Sequence, residues 1–294
     1  MQNRFAIYLG LATMWLMGGM GYPFLTDATE KLQPLNLVFI RTCGTALILL
    51  AILLAFRASE LKQIRWNRDL AITFICAMLF YPICSGSLAI ASSKIPGALT
   101  ALLYSTLPII STVYLFVNGK KPSQKTVIGV AISLFAAVLL IGSPSGDVGI
   151  SGFLAGAISV FTWFVATEIW IKYHPKYSIL IATTLQAIFG ALGTEFIRFL
   201  AGSAVITRTD IVYPSVLFLI FSLLAQHFAY LWLTTRVSGI LLMLFSIINP
   251  FVAGITGYLL FKQQITLIQG LAGLILVSGV YLIIKNEGSA KVSA

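Results

Sequence analysis

Charge is what this sequence has little of. Only 10% of its 294 residues are Asp, Glu, Lys or Arg, and nine are acidic. Soluble domains carry roughly 25% charged residues, so an ordinary water-exposed surface is excluded. Long polar stretches are missing too. The longest polar connections, 57–68 and 201–212, leave no room for an inserted soluble domain. Cysteine is scarce: Cys43, Cys76 and Cys84 are odd in number, lie in apolar runs and lack metal-ligand spacing, so they read as small buried residues. No phosphate loop, metal-binding helix signature or nucleophile elbow occurs. That argues against an ATP-driven pump within this chain and against an intramembrane metalloprotease.

Apolar residues take the place of charge. They make up 59% of the chain, against roughly 45–50% in soluble domains. About ten runs reach the length of about 20 residues that spans a bilayer core as a helix. In lipid every backbone polar group needs an internal partner, so the predicted class is an all-α, polytopic membrane protein. The net charge of +10 does not point to nucleic acid, because the cations occupy short loops rather than one basic face. Arg4 followed by an apolar run to Leu25 reads as a first spanning helix. A signal peptide would have a shorter apolar core and a small-residue cleavage site.

Spans are predicted near 5–25, 34–56, 69–91, 96–117, 123–142, 150–171, 178–200, 213–235, 239–261 and 264–284. With the N-terminus inside, thirteen Lys and Arg fall on the cytoplasmic side and five outside, with Arg41 within a span. This excess is the positive-inside signal, and it puts both termini in the cytoplasm.

Two stretches repeat. GALTALLYSTLPIISTVYLFV at 97–117 and GILLMLFSIINPFVAGITGYL at 239–259 each open on a glycine and place a proline eleven residues later, Pro108 or Pro250. A cation, Lys94 or Arg236, stands three residues before each glycine. The offset of 142 residues marks duplicated halves rather than a solenoid. The expected division is 1–145 and 146–294, five spans each. An odd number per half turns the second copy over, giving the inverted repeat found in many secondary transporters.

The two five-span halves, Trp15 and Trp163 in their first spans, Arg41, the Lys94 and Arg236 linkers, and Pro108 and Pro250 together resemble the EamA type of the drug/metabolite transporter superfamily. The resemblance covers nearly the whole chain. It implies ten helices around a central cavity lined mainly by spans 1, 3, 4, 6, 8 and 9. It also implies transport of small metabolites, often export of amino acids or related compounds. Relatives commonly carry a glutamate near the ends of spans four and nine. This chain has Asn118-Gly119-Lys120-Lys121 and Phe261-Lys262-Gln263-Gln264 there, so no role of that glutamate carries over.

The residues themselves suggest where a substrate would bind. Proline cannot donate to the carbonyl four residues back. Pro108 therefore frees the carbonyl of Tyr104 and Pro250 that of Ser246, and such groups need partners or cavity water. Both prolines are candidates for a kink used in gating, or for packing alone. Trp15, Gly18, Gly19 and Tyr22 share one helical face, as do Trp163, Thr167 and Trp170. Trp15 and Trp163 lie too deep for an interfacial belt and read as cavity lining, whereas Tyr22 and Trp170 suit a belt. Gln226, His227 and Tyr230 place polar groups in one span, where they usually face the bundle interior. Ser85 is the repeat partner of His227, one turn from Tyr81, and Asn249 adjoins Pro250. Histidine also titrates near neutral pH, so His227 is a candidate for substrate or proton binding as well as for a structural hydrogen bond.

Arg41 is expected to snorkel outward, and Glu168 to pair with Lys172 at the surface. Gly152/Gly156 and Gly270/Gly273 read as helix-packing sites.

The expected substrate-binding set is therefore Trp15, Tyr81, Ser85, Tyr104, Trp163, Gln226, His227, Tyr230, Ser246 and Asn249. The expected activity is secondary transport across the cytoplasmic (inner) membrane, with no catalytic residue, cofactor, metal or ATPase subunit called for, by a monomer or homodimer. The ligand expected is small, neutral or zwitterionic, with a stacked cation as the other possibility. The rival class is a lipid-active protein, a flippase or an intramembrane enzyme.

Overall fold

The computed structural model describes residues 4–94, 97–119, 123–141, 150–262 and 267–287, and these are helical throughout apart from short connections. Helix α1 spans Arg4–Lys31 and α2 Pro34–Arg57, the latter opening on a proline whose missing N–H costs nothing in the first turn. A 3₁₀ turn, Ala58–Gln63, follows. The third expected span is α3 (Arg68–Met78), a π-helical segment (Leu79–Ser85) and α4 (Gly86–Ser92). Next come α5 (Gly97–Tyr104), α6 (Leu107–Val117), α7 (Gln124–Ile141), α8 (Ile150–Tyr173) and α9 (Ile179–Leu200). A short α10 (Arg208–Val212) precedes α11 (Pro214–Leu233), α12 (Gly239–Met243), α13 (Phe245–Phe261) and α14 (Leu267–Glu287).

Local chemistry sets many of these boundaries. Asn67 caps α3 by accepting from Leu70 N at 3.0 Å, and Ser178 caps α9 by accepting from Ile181 N at 3.3 Å. Thr207 and Asp210 form a reciprocal capping box on α10. At the end of α9, Gly202 adopts φ +60°, where a side chain would be strained.

Among the described residues, seven helical stretches are long and apolar enough to cross a membrane: Arg4–Lys31, Pro34–Gln63, Arg68–Ser92, Ile150–Tyr173, Ile179–Leu200, Pro214–Leu233 and Leu241–Phe261. The expected span 96–117 is not one continuous helix. It breaks after Tyr104, so Pro108 lies in the first turn of α6 rather than in a helix interior. Pro250 does lie inside α13.

Packing separates the chain into two compact units. The first comprises Met1–Pro23, Pro96–Val148 and Trp232–Ala294, and the second Phe24–Ile95 and Gly149–Leu231. These boundaries run along other lines than the expected halves 1–145 and 146–294. In the first unit α7 and α14 run against each other. A Cβ on Gly279 would come within 2.4 Å of Ser133 Oγ, and one on Gly129 within 2.6 Å of Ile283 Cγ1. Small residues at a helix crossing let backbones approach and gain dispersion contacts, which matter most where lipid removes the hydrophobic drive.

In the second unit α2 packs on α9. Leu53, Ile181 and Leu185 form one apolar cluster there. Leu25, Leu37, Ile40, Val216 and Leu219 form another. Gly152 and Gly156 are buried on α8, as packing glycines should be.

Three sequence expectations are corrected by burial. Tyr22 and Trp170 are buried in protein, so neither presents its ring to a lipid interface. Arg41 is likewise buried and does not snorkel to the helix end.

Candidate functional site

The second unit holds a buried cluster of aromatic and polar side chains from four spans. Its geometry starts with Pro82. Lacking an N–H, Pro82 cannot continue the α-helical ladder, and the chain widens to π geometry over Leu79–Ser85. Ser85 Oγ donates to Phe80 O at 3.0 Å inside this segment. The wider turn buries two consecutive rings, Phe80 and Tyr81. Gly190 of α9 makes room for one of them, since a Cβ there would lie 2.4 Å from Tyr81 Cδ2.

Phe80 is the hub. Its ring centroid lies 5.0 Å from Trp163, 5.3 Å from His227 and 5.9 Å from Tyr230, all edge-on. Tyr81 lies 5.3 Å from His227 on another side. Edge-on contacts of this kind are the favoured arrangement of ring quadrupoles. The Tyr230 hydroxyl bonds Thr167 Oγ1, which donates in turn to Trp163 O at 2.8 Å.

His227 Nε2 lies 2.7 Å from Gln186 Oε1. With the amide oxygen facing the ring, Nε2 is the donor and Nδ1 is left as an acceptor. Among the described residues, Gln186 Nε2 and the Tyr81 hydroxyl are buried donors with no hydrogen-bond partner. Leaving a buried donor unmet costs about 1–3 kcal/mol, so such groups are either a strain on the fold or a means of holding something.

The sequence-predicted residues fall into two sets. The second unit brings together Tyr81, Trp163, His227 and Tyr230. Ser85 is nearby in chain, but its hydroxyl serves its own backbone. Gln226 is half-buried and about 100° round α11 from His227. Sequence reasoning missed Gln186 and Pro82. A proline within an apolar span was the available signal for the π segment, while a lone glutamine offered no pattern.

The first unit holds Trp15, Tyr104, Ser246 and Asn249. Gly19 seats α1 on α13: a Cβ there would come within 2.4 Å of Val252 Cβ and 3.1 Å of Asn249 O. Tyr22 and Tyr104 meet edge-on at 6.3 Å. Trp15 Nε1 and Asn249 Oδ1 are buried with no hydrogen-bond partner among the described residues. The carbonyl of Ser246, which Pro250 cannot bond, faces Ser105 Oγ at 3.0 Å. Ser105 Oγ also lies 3.2 Å from Ala101 O, so one hydroxyl proton serves two carbonyls, the nearer being that of Ser246.

Lys94 and Arg236, the cations expected to correspond in the two halves, have unlike surroundings. Lys94 Nζ donates to Ser151 Oγ at 3.1 Å. Arg236 lies 4.2 Å above the Trp232 ring and donates to Trp232 O at 2.7 Å. Burial pushes its guanidinium below the usual range, and the ring and carbonyl contacts favour the charged form.

Comparison with known proteins agrees with this architecture. Residues 4–142 match the EamA-like transporter family. The chain is 22% identical over 284 residues to the uncharacterized inner membrane transporter YedA of Escherichia coli (strain K12), covering 94% of this chain and 90% of the relative. The same protein from Escherichia coli O157:H7 matches to the same extent. A crystal structure of a protein 16% identical superposes with a TM-score of 0.75 over 96% of this chain and 98% of the other, a likeness of fold.

Proposed function

Starting from a chain that carries an EamA-like transporter domain over residues 4–142, we propose that it is a secondary transporter of a small polar or amphipathic metabolite. An amino acid or related compound, moved outward across the inner membrane, fits best. The observation that carries this reading is the pair of unmet buried donors, Tyr81 OH and Gln186 Nε2, beside His227 in an aromatic wall. Two donors and the Nδ1 acceptor suit a molecule with both acceptor and donor groups, and the rings suit its apolar part. Tyr81, Trp163, His227 and Tyr230 are the proposed core of recognition, with Ser85 and Gln226 at its margin. Trp15, Tyr104, Ser246 and Asn249 are proposed as a second group of substrate contacts.

Transport on this reading alternates between inward- and outward-open states of a ten-span protein, built of inverted halves 1–145 and 146–294 with both termini in the cytoplasm. Pro250, inside α13, and the break before Pro108 are the proposed points of bending. The test begins with a thermal-shift screen of the purified protein against metabolites, because a ligand of the folded state raises apparent stability. Hits then go to flux measurements in proteoliposomes. A hit that stabilises the wild type but not His227→Ala, and that moves across the bilayer, supports the reading. A protein that stabilises with a ligand but moves none of it refutes transport.

A further inference from the structure

One cavity lies apart from the ring cluster, within the second unit. Its volume is about 570 Å³, and it is walled by Leu49, Ile52, Leu180, Leu224 and Phe228. Its polar rim is made of Arg57, Glu60 and Ser178. The size falls within the roughly 300–1,000 Å³ of small-molecule sites. From Leu49 to Arg57 the wall follows α2 for eight residues, about 12 Å at a rise of roughly 1.5 Å per residue. Half the hydrocarbon thickness of a bilayer is about 15 Å. The cavity is therefore apolar over the depth of an acyl chain and polar where a headgroup would sit.

The rim is specific in its charges. Arg57 Nη1 lies 3.2 Å from Glu60 Oε1, and Ser178 Oγ donates to Glu60 Oε2 at 2.5 Å. The Arg57 side chain is 66% exposed and that of Glu60 18% exposed. Arg57 has further N–H donors free to turn toward a phosphate, and Glu60 keeps lone pairs for a second donor. Cation and carboxylate stand three residues apart, and two hydrogen bonds join the neighbouring loops. Lys176 N donates to Asp69 Oδ2 at 3.2 Å and the Tyr177 hydroxyl to Asn67 Oδ1 at 3.4 Å.

We propose that this cavity is a phospholipid site for a glycerophospholipid whose headgroup carries a phosphate and a primary ammonium, the phosphatidylethanolamine class. The phosphate takes Arg57, the ammonium donates to Glu60, and one acyl chain lies along Leu49, Ile52, Leu224 and Phe228. A trimethylammonium headgroup has no N–H for Glu60. A glycerol headgroup leaves the carboxylate without a cation other than Arg57. The lipid is a resident one, and its binding is independent of what the protein transports.

The test is native mass spectrometry of the wild-type protein released from micelles holding equimolar dioleoyl-phosphatidylethanolamine, -phosphatidylcholine and -phosphatidylglycerol. The ethanolamine adduct should exceed the choline adduct by about threefold, the scale of one exposed charge-assisted contact. Glu60→Gln should bring that ratio close to one. Leu224→Trp, which fills the cavity, should lower all three adducts. Equal retention of the ethanolamine and choline lipids by the wild type overturns the proposal, as does preference for the glycerol lipid. Retention by Leu224→Trp at the parental level overturns it too. The wild-type headgroup comparison decides even if neither variant folds.

Discussion

Replacing Ser105 with alanine tests whether the carbonyl freed by Pro250 depends on a single hydroxyl. Ser105 and Ser246 are both fully buried, and Ser105 Oγ lies 3.0 Å from Ser246 O. A buried carbonyl left unmet costs about 1–3 kcal/mol in general. Side-chain hydrogen bonds between membrane helices average nearer 0.6 kcal/mol, with a maximum of about 1.7. The expected loss for Ser105→Ala is therefore about 1 kcal/mol, part of it from the contact to Ala101 O. Pro250→Ala changes the accounting, because residue 250 then has an N–H to give to Ser246 O. In that background Ser105→Ala should cost only the Ala101 share. The double-mutant cycle cancels that share and isolates a coupling of roughly 0.5–1.5 kcal/mol. Reversible unfolding in mixed bicelle–dodecyl sulfate micelles, followed by far-UV circular dichroism for all four proteins, measures it. A coupling within about 0.3 kcal/mol of zero, the additivity expected of unrelated sites, refutes the reasoning.

Other predictions follow from the second unit and from the charge count. Gly190→Ala places a Cβ 2.4–2.7 Å from Tyr81 ring and Cβ atoms, and should destabilise by about 1–3 kcal/mol in the same unfolding assay. Gly190→Ala with Tyr81→Leu should recover part of the loss; no recovery would place the clash elsewhere. For a ligand found by screening, His227→Gln should retain more affinity than His227→Ala, because an amide keeps both donor and acceptor. Equal affinities of both variants and the wild type by calorimetry would remove His227 from recognition. If His227 carries protons instead, both variants should bind and lose the pH dependence of flux. A cysteine placed at Asp210 should react with an impermeant maleimide from outside intact cells, and one at Arg65 should not. Labelling at 65 would sink the N-inside arrangement.

Helices were legible because a bilayer imposes a length. An apolar run of about 20 residues has few other structures open to it, and the expected 34–56 and 150–171 meet helices Pro34–Arg57 and Ile150–Tyr173. Partnerships were less legible, because they close over long distances in the chain. Gln186 meets His227 across 41 positions, and Ser105 meets Ser246 across 141. A polar residue in an apolar span announces that it needs a partner, as His227 did, without naming it. Tyr22 and Trp170 illustrate the converse. Amphipathic rings near span ends suit an interface, but only packing decides whether protein or lipid covers them.

The interleaving of the two packed units has a consequence for synthesis on the ribosome. Every contact internal to the second unit lies between residues 24 and 231, so that unit is complete in sequence while the 63 residues from 232 to 294 are still unmade. The first unit needs residues from both ends of the chain and cannot close until then. At roughly 5–20 residues per second the wait is about 3–13 s. During it Trp15 and Gly19 on α1 lack the α13 surface against which Gly19 later packs. Membrane insertase or chaperone contacts with nascent chains should accordingly persist at the 4–23 part of α1, and a chain arrested after Leu231 should present Trp15 and Gly19 without the α13 surface.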